Sequence, residues 1–369
     1  MCDYKAGLDI NDASNYRPIT NLGTLSKILE QLAMAQLRPH ITGSPKFSPN
    51  QSAYRSAHST ETALLKIAND IRGNMEQSSL TCLLSLDISA AFDALDHQVL
   101  LARAEEIFGI AGPVLAWLAS FLTNRRSFVS LGDGVGTDSI DSVMISGVPQ
   151  GSTLGPLLFS MFVSPLGKVV DANGGIYHQY ADDTQLYMRL SPGLKNINTL
   201  SKCADSVAIW FLQNGLKLNP NKTESIIFGT AQKLKTIATP KPTLECLGVP
   251  IAFADSVHIL GVTLDNALTL NKHVTKIVSS CNYHIRALKH IRSSLTHDAA
   301  VAIACSLVNT RLDYCNSLLV STSLQNITRL QRVQNNLARA VLTLRRHESI
   351  RHHIRALHSY QLMNVLSIR

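Results

Sequence analysis

Two adjacent carboxylates, Asp182 and Asp183, stand in the short link between two segments of strand character, Ile176–Tyr180 and Thr184–Leu190. Neighbouring carboxylates repel and favour protonating one of the pair, so a hairpin tip carrying both is costly unless a cation sits beside it. Asp is also an ordinary turn residue, and the pair alone is a weak signal. Its surroundings narrow the reading: Tyr177-His178-Gln179-Tyr180-Ala181 before it and Thr184-Gln185-Leu186-Tyr187 after it are too apolar and aromatic for a solvent turn. A third carboxylate, Asp87, ends a segment in which Leu80, Cys82, Leu84 and Leu86 alternate with Thr81, Ser85 and Asp87, the period of a strand with one more polar face. Asp87 lies far upstream of the pair, so the segments cooperate only as neighbouring strands of one sheet. That arrangement gathers three hard oxygen ligands at one edge, suited to two Mg²⁺ ions and to phosphoryl transfer.

The rest of the chain alternates helical and strand periods. Ser59, Thr60 and Glu61 read as a helix start, followed by Leu64, Ile67 and Ile71 at helical spacing. Ala90–Ile107 reads as a helix, and Gly132–Gly136 as the turn of a hairpin between Ser127–Ser130 and Ser139–Ile145. Gly147-Val148-Pro149-Gln150-Gly151 breaks regular structure before an apolar helix near Leu154–Leu166. Leu200, Cys203, Val207 and Phe211 mark a helix stopped by Asn214-Gly215, and Lys222–Phe228 is a strand. After Gly261 the pattern is helical, with core stripes Val274, Ile277, Cys281, Ile285, Leu288 and Leu330, Val333, Leu337, Val341.

Charge is distributed unevenly. The chain carries +8 overall, yet residues 271–369 hold 14 Lys and Arg against Asp298, Asp313 and Glu348, so this helical stretch is suited to phosphate-backbone contacts. A solvated basic face is the plainer alternative. The seven cysteines are scattered without a CxxC pair, which favours a reduced intracellular protein, and no apolar run is long enough for a membrane span.

The ordered motifs resemble the reverse transcriptases of non-LTR (LINE-type) retrotransposons. Asn15-Tyr16-Arg17-Pro18-Ile19, Leu25-Ser26-Lys27-Ile28-Leu29-Glu30, Gln51-Ser52-Ala53-Tyr54-Arg55 and His58-Ser59-Thr60-Glu61-Thr62 resemble that family's fingers motifs. Leu86-Asp87-Ile88-Ser89-Ala90-Ala91-Phe92-Asp93 resembles its first metal-binding motif, and Gly147-Val148-Pro149-Gln150-Gly151-Ser152 with Leu154-Gly155-Pro156 its nucleotide-positioning motif. Tyr180-Ala181-Asp182-Asp183 resembles the polymerase signature. Asn214-Gly215-Leu216 with Asn219, Lys222, Thr223 and Glu224 resembles the fourth palm motif, and Leu260-Gly261-Val262 with Leu264-Asp265 the primer-grip strand.

The resemblance implies an α+β, right-hand polymerase: fingers in 1–79, palm in 80–97, a fingers insert in 98–145, palm again in 146–270 with a ferredoxin-like sheet, and a basic helical thumb with a C-terminal extension in 271–369. It implies that Asp87, Asp182 and Asp183, with the Ile88 carbonyl, hold two Mg²⁺ ions for which Mn²⁺ can substitute. By the same resemblance Arg55 and Arg17 hold the incoming triphosphate, Phe92 excludes a 2′-hydroxyl, Gln150 and Gly151 line the nascent base pair, and Lys222 is the general acid. A surface ion pair for either arginine, a core aromatic for Phe92 and an exposed lysine for Lys222 are the structural alternatives.

Expected partners are an RNA template, a DNA primer, dNTPs and an endonuclease acting in trans, with no membrane and, by resemblance only, a nuclear location. The family's endonuclease and zinc-binding segments are not seen in the sequence, so it reads as a truncated frame. An inactive copy that only binds nucleic acid is the first alternative. An RNA-templated polymerase of another lineage, a group II intron maturase or a telomerase-like enzyme, is the second.

Overall fold

The computed structural model describes residues 2–4, 16–128, 142–191, 194, 196–219, 222–237, 243–345, 348 and 350. The hairpin expected around Gly132–Gly136 lies outside them; of its arms, Arg126–Ser127 pairs antiparallel with Ser142–Val143. The chain divides into two compact units, one of Met1–Ser59, Cys82–Ser225 and Pro240–Ala252, the other of Thr60–Thr81, Ile226–Thr239 and Phe253–Arg369. The class is α+β throughout.

Strands β1 (Leu80–Leu86), β3 (Asp183–Leu190) and β2 (Ile176–Tyr180) lie side by side in that order, all but Leu80 and Thr81 belonging to the first unit. The alternation expected of β1 does not survive. Thr81 and Leu83 are as fully buried as Cys82 and Leu84, because a strand inside a sheet covered on both faces has no solvent side. The helix Gly155–Val163 is apolar all round and buried at every position but Pro156, so it forms the middle of this core. The helix expected from Ala90 starts only at His97, where the Asp96 side chain accepts the Val99 N–H at 2.9 Å as an N-cap. Ala90–Leu95 is instead a turn, with Ala90 itself at φ 48°.

A half-buried cation fastens the helices. Arg103 donates to the Phe162 carbonyl and to Asn214 Oδ1, and its guanidinium lies 4.4 Å from the Phe162 ring centroid and 5.3 Å from that of Trp210. Burial lowers its pKa to about 10, which still leaves it charged at neutral pH. The helix Ile197–Gln213 ends where the sequence predicts, at Asn214 and a Gly215 with φ +73°.

The second unit is built on two long helices, Asn271–Ile291 and Leu324–Leu342, whose buried stripes are those read from the sequence. Strands β4 (Ser256–Ile259) and β5 (Val262–Asp265) form an antiparallel hairpin with Ile259 opposite Val262. The helix Thr60–Glu76 groups here and not with the N-terminal segment: Glu61 Oε1 accepts the Ser317 N–H at 2.8 Å. Among the described residues no helix is long and apolar enough to cross a membrane.

Candidate functional site

The acidic tip is a two-residue hairpin. Tyr180 pairs with Asp183, leaving Ala181 and Asp182 as the loop, and Ala181 has φ 58°. A positive φ at the first loop position is where hairpins normally use Gly, and for an L-residue it costs roughly 1–2 kcal/mol. The strain is held from outside the hairpin. Asn50 and Ser52 run beside β2, with Gln179 N–H donating to the Asn50 carbonyl at 2.9 Å and Ser52 N–H to the Gln179 carbonyl at 3.0 Å. Between them Gln51, fully buried, accepts the Ala181 N–H through Oε1 at 2.9 Å and donates from Nε2 to the Ala181 carbonyl at 3.2 Å.

Asp87 follows β1, the neighbour of β3, and lies near enough to Asp183 for its charge to act on that carboxyl. Asp183 is in contact with solvent, yet burial first, then the charge of Asp182, then that of Asp87 push its pKa up to about 6. Tyr54 shares the pocket: burial and then Asp182 raise its phenol. The cation nearest Asp87 is Lys222, with Nζ 3.6 Å from Oδ2. This lysine is brought in by the Asn219 N–H, which bonds the Asp87 carbonyl at 2.8 Å, and by the pairing of Ile88–Ser89 with Lys217–Leu218. Ile88 is therefore a buried strand residue opposite Leu218.

Among the described residues no group of three or more His, Cys, Asp or Glu side chains is placed to hold a metal ion. The fit to a hard divalent cation rests instead on chemistry and charge. Burial and the charges of Asp182 and Asp87 raise the proton affinity of Asp183, and carboxylate oxygens are the ligands that such ions take.

The Gly147–Gly151 loop is locked onto the turn after Asp87. Gly147 passes so close to Asp93 that a Cβ there would lie 2.6 Å from the Asp93 carbonyl oxygen, and its φ is +82°. Only glycine meets both conditions. The Val148 N–H donates to the Phe92 carbonyl at 2.8 Å, and the Phe92 ring, half-buried, lies 4.9 Å from that of Phe159. Gln150 directs its amide N–H groups to both Asp93 carboxylate oxygens, at 3.0 and 2.8 Å. Gly151 has φ +103°, and a Cβ would sit 3.3 Å from the Thr20 carbonyl, so backbone conformation more than crowding requires glycine there.

Two buried groups that the sequence reading passed over support this loop. Glu30 accepts from the Ser152 hydroxyl at 2.8 Å and from the N–H groups of Thr153 and Leu154 at 2.6 and 3.2 Å. His97 Nε2 bonds the Gly147 carbonyl at 2.7 Å. Glu30 carries a signal that could have been used, a lone acid on a helix otherwise lined by Met34, Leu37 and Ile41. His97 carries none.

Of the two arginines, Arg55 rests its guanidinium 6.0 Å from the Phe47 ring centroid and donates to the Pro49 carbonyl at 3.4 Å. For Arg17 only the backbone is described, in a strand Tyr16–Pro18 that pairs antiparallel with Cys2–Tyr4. The structure thus brings Asp87, Asp182, Asp183 and Lys222 together at one edge, and joins Phe92, Gln150 and Gly151 through Asp93 and Val148.

Residues 5–264 match the family model described as reverse transcriptase (RNA-dependent DNA polymerase). The "probable RNA-directed DNA polymerase from transposon BS" of Drosophila melanogaster is 28% identical over 346 residues, covering 92% of this chain and 37% of that protein. The "RNA-directed DNA polymerase from mobile element jockey" of Drosophila melanogaster is 31% identical over 284 residues, 74% of this chain and 29% of that protein. This chain thus spans about a third of the length of these curated relatives. Among solved structures, apo telomerase from Candida tropicalis aligns over 92% of this chain and 54% of its own, at 13% identity and a TM-score of 0.46. The family match takes in the turn after Asp87, the glycine loop and the acidic hairpin alike, and the chain belongs to the reverse transcriptases.

Proposed function

We propose that this chain is an RNA-directed DNA polymerase that extends a DNA primer 3′-hydroxyl with dNTPs on an RNA template, by two-metal phosphoryl transfer, in the copying of a non-LTR mobile element. The observation that carries the reading is the meeting of Asp87, Asp182 and Asp183 at one sheet edge, with Asp183 pushed up to about 6 by burial and by its two acidic neighbours. Two Mg²⁺ ions, or Mn²⁺ in their place, supply when bound the charge that activates the 3′-hydroxyl and neutralises the departing pyrophosphate. The three carboxylates and the Ile88 carbonyl would hold them.

The chain's own groups do the rest. Lys222 Nζ carries the proton that the leaving pyrophosphate takes up. Arg55, with Arg17, offers the planar fork that suits triphosphate oxygens. The half-exposed ring of Phe92, braced by Phe159, closes the space a 2′-hydroxyl would need. Gln150, oriented by Asp93, and Gly151 line the nascent base pair. Basic residues on the helices Asn271–Ile291 and Leu324–Leu342, among them Lys272, Lys276, Arg286 and Arg332, suit the duplex backbone. The reading further includes work in the nucleus with an endonuclease acting in trans, both resting on the resemblance to non-LTR elements alone.

Primer extension on poly(rA)–oligo(dT), comparing the native chain with Asp182→Asn, tests the reading. Extension by the native chain and none by the variant is expected; equal signals remove the catalytic assignment. Duplex binding without extension by the native chain selects the inactive copy instead. A second expectation concerns sugar choice. Phe92→Ala raises ribonucleotide use relative to deoxynucleotide use by about 10²-fold in kcat/KM, the scale of a steric pocket contact. An unchanged ratio would make Phe92 a packing residue for Phe159.

A further inference from the structure

We infer that Gln51 is a positioning residue for the acidic tip: its side-chain amide holds Ala181 in the left-handed backbone conformation that presents Asp182 and Asp183 at the sheet edge. The consequence for catalysis rests on the polymerase reading above; the structural role does not. One amide pairs with both backbone groups of a single residue, accepting from the Ala181 N–H and donating to the Ala181 carbonyl. It thereby acts as a one-residue strand neighbour and fixes the backbone on both sides of that Cα. The partners also settle which amide atom is which, since two N–H groups, those of Ala181 and Ala53, face Oε1 and a carbonyl faces Nε2.

Gln51 is itself immobilised. It has no exposed surface and forms a parallel bridge with Gln179, two residues before the loop. No other side chain reproduces the pair of bonds: Glu lacks the donor, Asn is one methylene short, and Met or Leu offers neither group. Without the amide, a non-glycine residue at φ 58° relaxes toward a commoner turn, and the two following carboxylates turn with it.

The test uses the full chain labelled with ¹³C,¹⁵N-alanine, together with Gln51→Met and, as a control on the same segment, Ser52→Ala. The Ser52 hydroxyl bonds His178 Nε2 at 2.9 Å, a residue of β2 outside the two-residue loop. Gln51→Met is expected to erase the positive-φ chemical-shift signature of Ala181 and to lower kcat by about 10- to 100-fold, as misplacing reacting groups by an ångström does. The Kd for primer–template stays within about twofold, while Ser52→Ala keeps both the Ala181 signal and kcat. Persistence of the Ala181 signature in Gln51→Met, or an equal fall in kcat for Ser52→Ala, overturns the proposal. If native protein fails to extend primers, the polymerase reading falls, and the Ala181 signal still decides the role of Gln51. If Gln51→Met does not fold, Gln51→Glu carries the same test, since it keeps the acceptor and loses only the bond to the Ala181 carbonyl.

Discussion

Replacing Asp183 by Asn lowers primer extension by at least about 10³-fold in kcat/KM, on the order of 4 kcal/mol of transition-state stabilisation, and raises the melting temperature of the metal-free protein. The loss of activity follows from removing one of three carboxylates. The gain in stability follows from the same electrostatics read in the other direction. Burial, then Asp182, then Asp87 push this carboxyl up to about 6. An unfolded chain holds it near ~3.9. The folded state therefore binds the proton more tightly, and the stability this confers is present below about pH 4 and lost as pH rises through about 6.

Asn has no charge to desolvate. In EDTA, native protein and Asp183→Asn should melt together near pH 4 and separate as pH passes through 6. Because the side chain is solvent-accessible, the separation is a few °C and no more. Mg²⁺ should close the gap by stabilising the native protein alone. Melting curves whose difference is the same at pH 4 and pH 8 would refute the electrostatic account, whatever happens to activity.

The second large effect concerns the buried carboxylate behind the glycine loop. Glu30→Ala should cost about 3 kcal/mol in urea unfolding, because the Ser152 hydroxyl and the Thr153 and Leu154 N–H groups lose their shared acceptor in a buried site. For a unit of this size that lowers the melting temperature by roughly 6–12 °C. The same three donors lie directly after Gly151, so the loop loosens and the KM for dNTP rises several-fold. Glu30→Gln retains an acceptor oxygen and should recover part of both. A Glu30→Ala protein within about 0.5 kcal/mol of native would mean that water satisfies those donors and the carboxylate is dispensable.

Much of the secondary structure was readable because period and punctuation agree locally. The hairpin arms on either side of the acidic pair, the Asn214-Gly215 stop and the two buried stripes of the C-terminal helices all depend on residues a few positions apart. β1 was placed correctly and its face misread, since Leu83 already breaks the alternation and a strand buried on both sides leaves none. The helix expected from Ala90 overran its true start because the Asp96 cap, with no Glu or Gln three residues on, is a weaker sign than the apolar pattern before it.

The sequence by itself determined the kinds of group available and their order: three carboxylates, a glycine loop, a basic C-terminal stretch and a family signature that joins them. Tertiary structure alone decided who holds what. Gln51 reaching Ala181, Glu30 reaching Ser152–Leu154, Lys222 reaching Asp87 and the near-contact of Gly147 with Asp93 span 54 to 135 positions of chain. No local period encodes such pairs. A buried amide or carboxylate has to find its partner wherever the packed chain brings one, since leaving it unpaired costs more than any local propensity supplies.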